Sequence, residues 1–450
     1  MSIPWHGELP KRWEVHKTSE LFAERREKVS DTDFAPLSVS KGGVVPQIAT
    51  VAKSNTGDNR KLVKKGDFAI NSRSDRRGSS GVSDYGGSVS LINIVLTPRS
   101  ETNGKYWHYL LKSYNFIEEY YRNGRGIVAD LWTTRLSEMK TIYLPLPPRE
   151  EQDQIVRYLD WKMSQINKLI NAKRRQIALL GEMKQTIITR AVIGGLKRNV
   201  KTKSSGIIGL ASIPEHWNTL RLGQALCNIE QGWSPQASKR TESKQWSVVA
   251  LSCINRGLFT PTEIKPIDKP QQKSLEFIQL YEGDLLMTRS NARERVGDVA
   301  IVRNPLPRTI FSDLIYRLTP TSTINVGFLA ACLLSRVGRN QIEIFARGSS
   351  GTMPKITQGH IKSLTVPLPP KNEQEEIVTY LDKQYASIDK LINKLNDEIA
   401  LFAEYRTRLI SDVVTGKVDV RGVAVPEFET VENVVVSDDE GENELMESVE

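Results

Sequence analysis

The sequence predicts an α/β (α+β) fold class in two copies: two mixed domains joined by two long helices that form an antiparallel coiled coil. Three observations predict it. A tandem repeat spans most of the 450 residues, each repeat ends in a heptad pattern, and each begins with short strands between turn residues.

The repeat comes first because it sets the architecture. Pro145-Leu146-Pro147-Pro148 returns as Pro367-Leu368-Pro369-Pro370, an offset of 222. Without a gap, Glu151-Gln152 matches Glu373-Gln374, Tyr158-Leu159-Asp160 matches Tyr380-Leu381-Asp382, and Lys168-Leu169-Ile170-Asn171 matches Lys390-Leu391-Ile392-Asn393. Upstream, Leu96-Thr97-Pro98 answers Leu318-Thr319-Pro320, and Arg125-Gly126 answers Arg347-Gly348. Nearer each start the offset drifts. It is 217 at Gly66-Asp67 and Gly283-Asp284, and 204 at Pro10-x-x-Trp13 and Pro214-x-x-Trp217. Each unit therefore has a front part free to change length and a rear part that is not.

The rear part reads as a helix. In the first copy Leu159, Met163, Ile166, Ile170, Ile177, Leu180 and Ile187 follow spacings of four and three, with Lys173 and Lys184 inside the same series. In the second, Leu381, Tyr385, Ile388, Ile392, Leu395, Ile399, Phe402, Leu409 and Val413 do the same. Such a narrow stripe needs a partner helix, and two copies in one chain can supply it to each other. Asn372 is the candidate cap of the second helix, and Gly194 and Gly416 the candidate stops.

The front parts read as mixed domains. Strands are expected over 88–96, 247–251, 67–71 and 284–288, and helices near 106–122 and 326–344. The expected organisation is a first domain at 1–144, a helix at 145–196 and a linker at 197–212. A second domain follows at 213–366, a helix at 367–420, and an acidic disordered tail at 421–450.

Charge bounds the function. The last 30 residues hold one basic and ten acidic side chains, so of the net +9 they carry −9 and residues 1–420 carry +18. A body that basic suits a polyanionic partner, with nucleic acid first. The loops after the Gly-Asp strands concentrate that charge: Arg73, Ser74, Arg76 and Arg77 in one domain, Arg289, Ser290, Asn291, Arg293 and Arg295 in the other. Arginine forks suit guanine edges and phosphates, and Ser or Asn can bond to either. Arg125 and Arg347 lie in a further glycine-rich loop of each domain, and Lys41-Gly42-Gly43 and the segment 231–235 are weaker candidates.

No catalytic apparatus stands out. There is no phosphate-binding Gly-Lys loop, no His-Glu-x-x-His, and no Asn-Pro-Pro or Asp-Pro-Pro followed by an aromatic. Cys227, Cys253 and Cys332 form no Cys-x-x-Cys, so no metal site is expected, and their spacing suits a reducing cytoplasm. Neither a membrane span nor a signal-peptide pattern is expected. Composition leaves two readings open: a DNA-binding protein, and a coiled-coil protein-interaction scaffold without DNA binding.

With the Pro-x-x-Trp starts, the Gly-Asp turns and the Pro-Leu-Pro-Pro/Glu-Gln junctions in place, residues 1–420 resemble the DNA specificity subunit of type I restriction–modification systems. The resemblance implies a non-catalytic chain whose two target-recognition domains each read half of a bipartite double-stranded DNA site. It implies that the helices hold these domains apart and dock methyltransferase subunits, two by the chain's own symmetry, alongside restriction/translocase subunits. It places S-adenosylmethionine, ATP and Mg on those partners, and the arginine loops toward DNA. The acidic tail lies outside the family pattern.

Overall fold

A computed structural model describes the chain except residues 1, 4, 6, 48–56, 127–131, 235–245, 262–263, 268–274, 347–353 and 432–450. It divides into two compact units, Met1–Arg175 with Leu395–Glu450, and Gln176–Lys394. The division falls inside both long helices, Arg149–Gly194 and Lys371–Val414. No helix among the described residues is long and apolar enough to cross a membrane.

In the first unit a four-stranded antiparallel sheet runs in the order Ser80–Val82, Phe68–Asn71, Asn93–Pro98, Phe22–Glu24. Helices Gly104–Leu111 and Tyr114–Arg122 bury Tyr106, Trp107, Leu110 and Phe116 in the core that Phe68, Ile70 and Leu96 supply from the sheet. In the second unit the order is Val299–Ile301, Leu285–Thr288, Ile315–Pro320, Leu226–Gln231, with helices Val326–Leu334 and Arg336–Ala346. Each sheet continues the Gly-Asp motif in the same way. The glycine takes a positive φ (+90° at Gly66, +91° at Gly283) that a side chain disfavours. The aspartate then pairs with an arginine, Asp67 with Arg25 at 2.6 Å and Asp284 with Arg317 at 3.0 Å.

The junctions repeat their central hydrogen bonds. Strand Glu14–Lys17 pairs with Tyr143–Leu146, and Asn218–Arg221 pairs with Thr365–Leu368, so each domain closes just before its helix. Gln152 Oε1 accepts from the Asn103 amide at 3.0 Å while its Nε2 donates to the Pro147 carbonyl at 2.9 Å. Gln374 does the same with Asn325 (2.7 Å) and Pro369 (2.9 Å). Both glutamines are buried, so one side chain ties the long helix's start to the cap, Asn103 or Asn325, of helix Gly104–Leu111 or Val326–Leu334.

The long helices run antiparallel. In the first unit Leu159, Ile166 and Ile170 share a core with Ile399, Phe402, Leu409 and Val413; in the second, Ile188, Ala191 and Val192 share one with Ile377, Leu381 and Tyr385. The beginning of each helix meets the end of the other. Lys173 and Lys184, polar members of the heptad series, form ion pairs across the seam with Glu398 and Asp389. Toward its end the first helix buries Ile188 more deeply than Ile187, the packing having moved one residue along.

Five expectations are corrected. Residues 88–96 are two strands, Gly87–Ser90 and Asn93–Pro98, in different sheets. Asn93 turns the chain between them by donating to the Ser90 carbonyl at 3.1 Å. Asn372 lies inside the first turn of its helix, whose start is made by the prolines: the Pro370 carbonyl accepts from Gln374 N at 3.1 Å. Gly194 is the last residue of the first helix, but the left-handed turn that ends it is at Gly195 (φ +69°), as it is at Gly416 in the second copy. Residues 197–212 are more than a linker, since Thr202–Ile207 and Leu210–Pro214 pair as a hairpin. Finally, the described part of the tail, 421–431, is packed, with Val423 and Val425 against the first unit's core.

Candidate nucleic-acid interface

Both arginine loops leave the second strand of their sheet and are zipped to a later segment of the same domain. In the first domain Asn71 Oδ1 accepts from the Arg73 amide at 3.0 Å, and residues 74–76 make one short 3-10 turn. The Arg73 and Arg125 backbones both bridge to Thr133, so two loops that the sequence offered separately form one surface. Arg73 and Arg125 are exposed, Arg125 lying 3.7 Å from Glu138. Arg76 is 3.7 Å from Asp75. Arg77 is held more firmly: it pairs with Glu118, and its guanidinium lies 4.5 Å from the centre of the Tyr121 ring. Tyr121, Trp132 and Ser72 line a shallow pocket beside it, which the sequence reading missed because no regular residue pattern marks Trp132.

In the second domain the equivalent bridge joins Ser290 to Lys355, which stand at the positions of Arg73 and Thr133. Ser290 is 1% exposed and its hydroxyl donates to the Pro354 carbonyl at 3.4 Å, so it anchors the loop. Arg295 also turns inward, donating to the Ile254 carbonyl at 3.2 Å. Arg339 secures the loop from below through the carbonyls of Val296 (2.9 Å) and Glu294 (3.2 Å). Three members face outward or partly so. Arg289 is half-buried and donates to the Asp313 carbonyl at 3.4 Å, Asn291 is half-buried, and Arg293 is exposed with no hydrogen bond or ion pair among the described residues. Burial pushes the Tyr316 hydroxyl pKa up, and neighbouring Arg289 opposes that.

Asp313 draws a second loop to this place. Its carbonyl also accepts from Gln231 at 3.1 Å, its carboxylate accepts from Ser234, and Trp233 between them is exposed. Exposed Lys355 adds a cation the sequence reading passed over, since nothing in its own neighbourhood marks it. Arg347 lies outside the described residues.

Elsewhere in the first domain, Lys112 Nζ donates to the carbonyls of Lys41 (2.8 Å) and Ser80 (2.9 Å), docking the Lys41-Gly42-Gly43 hairpin against the sheet. Burial, with Arg406 nearby, lowers its pKa to about 8. Both domains thus present outward arginines on a backbone frame of the same design, with different side chains around it.

The chain matches the family described as type I restriction modification DNA specificity domain twice, over residues 10–179 and 214–401. It is 26% identical over 286 residues to the putative type I restriction enzyme MjaX specificity subunit of Methanocaldococcus jannaschii, covering 63% of this chain and 61% of that protein. It is 24% identical over 186 residues to the type I restriction enzyme EcoEI specificity subunit of Escherichia coli, covering 41% of this chain and 31% of that protein. The matches therefore span 31% to 61% of those relatives. A solved chain from work on complex assembly and conformational transition of the type I R-M system shares the fold, with a TM-score of 0.61 at 17% identity over 91% of this chain and 100% of that one. By its two matched copies, the chain belongs to the type I restriction–modification DNA specificity family.

Proposed function

We propose that this chain is the sequence-specific DNA-binding subunit of a type I restriction–modification complex, without catalytic groups of its own. Each front domain reads one half of a bipartite double-stranded site, and the paired helices fix the distance between the halves. The observation that carries this reading is the shared loop frame. Arg73 and Ser290 occupy the same bridged position, while the side chains that face outward differ: Arg73, Arg76 and Arg125 against Arg289, Asn291 and Arg293. Two readers of different sequence need that combination.

The helices support a docking role. Leu169 and Leu391, Leu179 and Leu401, and Met183 and Tyr405 are pairs at the repeat offset of 222, and all six are between 47% and 64% exposed. They lie beside the helix seam rather than in it, on one flank of each helix. In this reading they receive two methyltransferase subunits, one per copy. S-adenosylmethionine, ATP and Mg act on the methyltransferase and restriction/translocase partners.

A gel-shift titration with specific and competitor DNA tests the reading. Binding that survives excess non-specific duplex, with log K falling steeply against log salt, supports it. Binding that competitor abolishes, or none at all, leaves the protein-scaffold reading instead.

A further inference from the structure

The two helix copies differ at a place the repeat does not explain. Beyond Val414 the chain turns back along the first long helix within the first unit. Gln154 Nε2 donates to the carbonyls of Val420 (2.9 Å) and Val423 (2.7 Å). Ser164 Oγ donates to the Glu429 carbonyl at 2.6 Å and accepts from Val431 N at 3.2 Å, and Asn167 Nδ2 donates to the Val431 carbonyl at 2.8 Å. Val420 is 2% exposed. Residues 420–431 are therefore held by three side chains of one helix, all bonding to backbone. At about 100° per residue, Ser164 and Asn167 lie on the side of the helix opposite Leu169, with Gln154 between the two flanks.

At the repeat offset the same positions in the second copy are Glu376, Ala386 and Asp389. None can donate to a carbonyl when ionised or apolar, and Asp389 is already paired with Lys184. The segment after the first helix takes another course, pairing Thr202–Ile207 with Leu210–Pro214. The first unit thus has a covered flank where the second copy lacks the groups to hold a cover.

We infer that residues 420–431 are a strap that makes the two partner-docking surfaces unequal, so that two copies of the same partner bind this chain in two separated steps. The inference rests on the docking role proposed above. A partner that grips the apolar flank of each helix meets bare helix on the neighbouring flank in the second unit and strap in the first. One pseudo-symmetric scaffold then offers one partner a preferred end.

The test is a titration of the full chain with the methyltransferase subunit, followed by native mass spectrometry and calorimetry. The wild-type chain binds two copies with affinities at least about tenfold apart. The variant Gln154→Glu, Ser164→Ala, Asn167→Asp carries the second copy's residues and releases the strap. Its two steps converge, and trypsin cuts after Arg421 faster than in the wild type. A chain ending at Asp419 converges likewise and guards against misfolding of the triple variant. Two equal steps in the wild type overturn the inference alone. Unchanged separation in a variant that trypsin cuts rapidly also overturns it. No binding of the partner at all overturns the docking role together with it.

Discussion

The junctions and the arginine loops age differently within one repeat. At the junctions Gln152 and Gln374 share two hydrogen bonds to equivalent groups, Gln374 adding a third to the Thr323 carbonyl, and the surrounding sequence matches without a gap. In the loops the backbone bridge survives, but the residues on it have changed, from Arg73 to Ser290 and from Thr133 to Lys355. A buried polar group with two partners tolerates no substitution without leaving a donor or acceptor unpaired. An exposed arginine on a bridged loop has no such constraint. The difference teaches where this fold keeps its geometry and where it can vary its surface.

The comparison breaks most easily at the junction. Gln152→Leu or Gln374→Leu strands a buried amide and a buried carbonyl, and each should cost about 2–4 kcal/mol in a urea melt. A cost under about 1 kcal/mol would mean the junction is not what holds the length of the rear part.

Acid should separate the two domains. His108 is half-buried and accepts from the Val82 amide at 3.3 Å; desolvation, helped by Lys112, lowers its pKa to about 4, whereas its repeat counterpart is Ala330. Its folded value lies below the unfolded value, so the stability it contributes is present above about pH 6.5 and is lost as pH falls toward 4. By pH 5 the first domain should lose about 2 kcal/mol of protection in hydrogen exchange that the second keeps. Equal losses would show that other groups dominate.

Much of this was legible in the sequence. The heptads, the Gly-Asp strands and the duplication are local or periodic signals, and the fold follows them. What the sequence concealed are the pairings between distant segments. Ser290 and Arg295 read as contact residues, but the direction of each is set by Pro354 and Ile254, which no local pattern connects to the loop. Residues 421–431 read as disordered from their acidic composition, yet Gln154, Ser164 and Asn167, more than 260 positions earlier, hold their backbone. Arg77 stood equal to its neighbours until Glu118 and Tyr121 were placed beside it.

Smaller effects sharpen the picture. Arg293→Ala removes an exposed cation that has no partner among the described residues, so it should leave the melt unchanged and lower the salt slope of DNA binding by about one. Lys173→Met and Lys184→Met should each change stability by less than about 1 kcal/mol, since both ion pairs are partly solvated. A larger loss would make these pairs, rather than the apolar seam, the source of helix register.

The division into two independent readers is tested most directly by selecting bound sequences from a random duplex pool with the wild-type chain and with Arg289→Ala. The account predicts a bipartite site whose one half loses about 1–3 kcal/mol of discrimination in the variant, while the other half and the spacing between them stay as they were. Equal relaxation of both halves, or a change in spacing, would contradict it.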